Sequence, residues 1–108
     1  MDATELCLHI KAALDRYKLG TDNGAWNCAF RIVAKGYNSD IGELIATAMR
    51  HRLVPSNWIC TDKNRGVGSP SFVLVNPRRR QPQRSIKERR MFSNHIEMAI
   101  AKEIEKGQ

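Results

Sequence analysis

The sequence predicts an α+β fold, a mostly helical domain carrying one two-stranded hairpin and an extra helix toward its C-terminal end. Three observations support this. Apolar residues recur at helical spacing in four separate stretches, and two short β-rich runs flank a loop of Gly, Asn and Asp. The chain has 108 residues, with 42% hydrophobic and 27% charged, which suffices for a single buried core without metal or disulfide support.

Residues 4–18 place Leu6, Cys7, Ile10, Ala13, Leu14 and Tyr17 on one helical face, with Thr4 as the expected cap. Leu19, Gly20, Thr21, Asp22, Asn23 and Gly24 then break the helix. A second helix is expected over residues 25–35, with Trp26, Ala29, Phe30 and Val33 facing the core. Gly36, Tyr37, Asn38 and Ser39 form a short connection. Asp40 opens a third helix over residues 40–52, and Glu43 completes a sequence resembling a capping box. Its buried stripe is Ile41, Leu44, Ile45 and Ala48, extending to Met49, so that Glu43, Thr47, Arg50 and His51 should point to solvent.

Pro55 ends that helix, and residues 58–61 and 71–75 then favour strands. The nine-residue loop between them, 62–70, is longer than a tight hairpin needs. In the second strand Phe72, Val73, Leu74 and Val75 are continuously apolar, so alternation does not decide which face is buried. Two prolines and repelling cations make residues 77–85 an extended basic linker. Phe92, Ile96, Ala99, Ile100 and Ile104 mark a last helix within residues 86–108, a candidate for folding back onto residues 1–76 or for pairing with a second copy.

Charge is distributed unevenly. The net charge is +7, and residues 76–90 hold seven Lys and Arg against the single acid Glu88. A patch of that density attracts a polyanion and releases its counterions. No apolar run approaches a membrane span, and the acidic start lacks the basic and apolar regions of a signal peptide, so a cytoplasmic protein is expected. Cys7, Cys28 and Cys60 are too few and too scattered for a disulfide framework and are expected as reduced, partly buried thiols. Trp26 and Trp58 lie within apolar segments and are expected in the core.

The order helix, helix, turn, helix, hairpin over residues 4–76 resembles the layout of winged helix-turn-helix DNA-binding domains. The stretch from Glu43 to Ile59 looks like a recognition helix leading into the first wing strand. The resemblance implies that the third helix enters the major groove while the wing loop touches backbone or minor groove. Asp40 and Glu43 depart from that pattern, since phosphates repel them.

The candidate nucleic-acid contacts are therefore Thr47, Arg50 and His51 on the third helix and Lys63, Asn64 and Arg65 at the wing tip. With them come Arg78, Arg79, Arg80, Arg84, Lys87, Arg89 and Arg90 along the basic segment. The expected partner is duplex DNA; RNA and a host protein are the alternatives, and a homodimer through the last helix is a further option. The compact size is in the style of a phage or mobile-element product. No His or Cys pair has ligand spacing, Gly66 and Gly68 fall short of a phosphate-binding fingerprint, and the carboxylates are scattered. Neither a cofactor, nor a metal, nor catalysis is expected.

Overall fold

A computed structural model describes residues 1–62, 72–78 and 85–107. The elements in order are α1 (Ala3–Arg16), α2 (Asn23–Gly36), α3 (Ile41–Arg50), β1 (Ile59–Asp62), β2 (Phe72–Val75) and α4 (Ile86–Lys106). The architecture is α+β, four helices and one antiparallel hairpin. Helices α1 and α2 lie between the other two, each packing against both α3 and α4, while β2 lies on α2 and α3.

The first three helices begin on an aspartate, for α1 and α2 ahead of where the spacing of apolar residues suggests. Asp2, not Thr4, caps α1 by accepting from the Glu5 N–H at 2.8 Å, and Asp22 caps α2 by accepting from the Ala25 N–H at 3.0 Å. Asp40 caps α3 as expected, accepting from the Glu43 N–H at 2.9 Å. Each of these bonds satisfies a donor that the helix itself leaves unpaired.

The same three helices end alike. Lys18, Asn38 and Arg52 adopt φ values of 53°, 52° and 55°, the left-handed conformation that closes a helix. The following N–H groups of Leu19, Ser39 and Leu53 donate back to Leu14, Ala34 and Ala48. Gly36, expected in the connection after the helix, is instead the last residue of α2, and Asn38 takes the left-handed position.

The core joins all the helices. Phe30, Leu6, Ile10, Leu44, Ile45, Ile96 and Ile100 are almost fully enclosed, and Trp26 and Trp58 are buried as expected. The Cys7 thiol is completely buried and donates to the Leu44 carbonyl at 3.2 Å, tying α1 to α3. Burial pushes that thiol up to about 11, offset in part by a backbone hydrogen bond from Ala48. Cys60 departs from the expectation of a buried thiol: it lies exposed on the outer strand β1.

The continuous apolar run of β2 resolves by position. Val73 and Leu74 are both buried because β2 is the inner strand, and Val75 opposite Ile59 is left at the outer end. Two polar side chains of α2 fix the strand. Asn27 donates from Nδ2 to the Leu74 carbonyl and accepts from the Leu74 N–H, both at 2.8 Å, and Asn23 donates to the same carbonyl at 3.1 Å. The edge of β2 facing away from β1 is thus paired by a side-chain amide instead of a third strand. Phe72 adds a close approach to Gly42 of α3, where a Cβ would meet the ring at 3.3 Å.

Replacing Asn27 by Ala removes both bonds and leaves the Leu74 N–H unpaired, so stability should fall by about 1–3 kcal/mol in urea unfolding. Cys7 adds a pH dependence. Its folded value lies above the unfolded 9.0, so the thiol's contribution is complete below pH 9.0 and lost as pH rises through about 11. The wild type should lose about 2–3 kcal/mol more than Cys7→Ala across that window, measured by urea unfolding at each pH.

Candidate nucleic-acid interface

Ser85 opens α4 by accepting from the Glu88 N–H at 3.2 Å. From Ser85 to Met91 every residue is exposed; Phe92 is the first to be half-buried and Ile96 the first to be enclosed. Nearly two turns of helix therefore stand clear of the core, carrying Lys87, Arg89 and Arg90 against Glu88. Cations near a helix N-terminus oppose its dipole, and no burial compensates here.

Arg78 lies on the turn after β2 and is exposed; its N–H donates to Asn76 Oδ1 at 3.0 Å, which turns the chain away from the strand. Arg79, Arg80 and Arg84, together with Lys63, Asn64 and Arg65 between the two strands in sequence, lie outside the described residues.

Helix α3 presents a different surface. Arg50 and His51 are exposed as expected, with His51 capping the helix by donating its N–H to Thr47 and Met49 carbonyls. Thr47, expected at the surface, is buried at 3% exposure. With α1, α2 and β2 all packed on α3, its buried arc is wider than one apolar stripe and takes in Thr47 beside Leu44 and Ala48. Met49, read as an extension of that stripe, is 37% exposed. The open arc consists of Glu43, Ala46, Met49 and Arg50, with one cation among them.

The expected contacts do not all share one surface built by helix packing. The cations of α4 follow Arg78 closely in the chain, whereas α3 and α4 are not major neighbours and meet instead through α1 and α2.

Three polar side chains, two buried and one half-buried, escaped the sequence reading. Glu103 of α4 is 7% exposed, and Arg16 Nε approaches its Oε1 at 3.0 Å as an ion pair without hydrogen-bond alignment. Lys106 stands farther off at 3.9 Å. Its spacing from Ile96, Ala99 and Ile100 already puts Glu103 on the apolar face. Asn23 and Asn27 carry the same signal, being four apart and in step with Phe30.

Among the described residues, no three His, Cys, Asp or Glu side chains gather as metal ligands, and no helix is long and apolar enough to cross a membrane. Compared with protein-family models, with curated proteins and with solved structures, the chain matches none.

Proposed function

We propose that this is a small, non-enzymatic DNA-binding protein of winged-helix-like design whose affinity for duplex DNA comes chiefly from phosphate contacts. The observation that carries this reading is the start of α4, where Lys87, Arg89 and Arg90 occupy exposed turns against the helix dipole. A segment of that kind contributes little to folding, and a phosphate backbone supplies the negative charge that its excess of cations attracts.

Arg78, placed by its turn just beyond β2, extends the same positive segment toward the hairpin. In this reading β1 and β2 form the wing, clamped to α2 by Asn27, and α3 is the helix offered to the groove. Arg50 and His51 at its C-terminal end are its DNA-facing groups, and Glu43 limits how far its N-terminal end approaches phosphates. Binding by occupancy suits a regulator or a replication or recombination accessory.

A second reading rests on the open arc of α3. Glu43, Ala46 and Met49 make a mixed acidic and apolar surface better suited to a protein partner than to a phosphate backbone. Under it the protein adapts or inhibits a nucleic-acid enzyme, and its complex with that enzyme survives nuclease.

The test compares wild type with Lys87→Ala/Arg89→Ala/Arg90→Ala on duplex DNA across a salt series. The variant should bind more weakly, and its log–log salt slope should fall by about 0.9 for each phosphate that it no longer neutralises. Equal affinity of the two proteins at low salt would reject the phosphate-contact reading. Retention of a co-purifying protein after nuclease would favour the second.

A further inference from the structure

The apolar stripe that made the last helix a dimerisation candidate is consumed within the chain, since Ile96, Ala99, Ile100 and Ile104 are buried against α1 and α2. The opposite face of α4 is open and is not uniformly polar. Met91 and Met98, one heptad apart, are 53% and 58% exposed, with the exposed Asn94 and Ala101 completing a coiled-coil-like seam. Beside Met98 lies a shallow cavity of about 260 Å³, bounded on its far side by Tyr17 and Leu19 from the end of α1.

We propose that this outer face of α4 binds the same face of a second copy, with the two helices antiparallel. Charge complementarity selects both the partner and the direction. Lys87 and Glu105 are about five helical turns apart and so project from the same side as the two methionines. Antiparallel pairing about Ile96, the midpoint of α4, sets Lys87 opposite Glu105 of the second copy and brings Glu88 near Lys102. The two-fold axis repeats both pairs at the other end. Parallel pairing would instead oppose Lys87 to Lys87 and Glu105 to Glu105, and would crowd the two basic helix starts together.

The same register places Met91 of the second copy opposite Ala101, within a turn of the cavity beside Met98. An exposed knob and an open recess on one face are what a self-complementary interface requires. The pairing overlaps α4 along its whole length and leaves the two basic starts at opposite ends; of the three cations proposed for phosphate contact, it engages Lys87 alone.

Sedimentation equilibrium of the full chain, without nucleic acid, tests the proposal. At high micromolar concentration and low salt the mass should approach twice the 12.3 kDa of one chain. Lys87→Glu or Glu105→Lys alone should weaken association about tenfold or more. The double variant, which restores opposite charges, should recover it. Met91→Glu/Met98→Glu should leave a monomer whose circular dichroism matches the wild type, because both side chains are exposed. A wild-type monomer at the highest concentration, a double charge variant no stronger than the singles, or an undiminished dimer with both methionines replaced would overturn it.

Discussion

The hairpin depends on Asn27. Two strands of four residues do not hold together in water without a surface to rest on, and β1 packs mainly against β2 alone. What binds the pair to the helices is the inner strand, through the buried Val73 and Leu74 and through the Asn27 amide, which both donates to and accepts from Leu74. Because Leu74 spends both backbone groups on α2, its pairing with Cys60 is one in which the backbone bonds point outward. Everything after β2 takes its starting direction from that clamp, including the turn at Arg78.

A second constraint sets the helical part. The Cys7 bond to Leu44 and the Arg16 contact with Glu103 anchor α1 to α3 on one side and to α4 on the other. Neither is an ordinary apolar contact. Glu103 is the costlier, since a carboxylate removed from water regains only part of its solvation from Arg16 and the more distant Lys106. Arg16 is itself 57% exposed, so the pair lies at the rim of the core and not inside it. Gly107 then ends α4 close to His9, where a Cβ would come within 3.0 Å of the imidazole, so the helix finishes over α1.

The order and type of the elements were legible because apolar residues at helical spacing mark the four helices and β-rich runs mark the two strands. The helix boundaries were less so, because an N-cap lies outside the periodic pattern: Asp2 precedes the first buried residue of its helix by several positions, and Asp22 sits in a stretch that reads as a turn. Side chains whose partners come from distant elements were not legible at all. Thr47 looks solvent-facing along α3 alone and is buried by what packs on it, and Asn27 looks like a surface residue until β2 arrives. Cys60 failed in the other direction, since a thiol in a β-rich run suggests burial and β1 is the outer strand. Of the candidate contacts, Arg50, His51, Arg78, Lys87, Arg89 and Arg90 are exposed where local pattern put them, because a charged side chain resists burial.

The caps of the four helices differ in a way that bears on the proposed use of α4. Asp2, Asp22 and Asp40 open α1, α2 and α3, each adding a negative charge that the helix dipole favours. Helix α4 alone opens on an uncharged side chain, Ser85, although it is the helix whose first turns most need stabilising. A serine satisfies the same backbone donor as an aspartate, so the capping bond is kept while the acid is left out. For folding alone an aspartate would serve better, because it would offset the net charge of Lys87, Arg89 and Arg90 as well as the dipole. A site that forgoes this gain and keeps a positive excess, relieved in its first turn only by Glu88, is suited to an anion supplied from outside the chain.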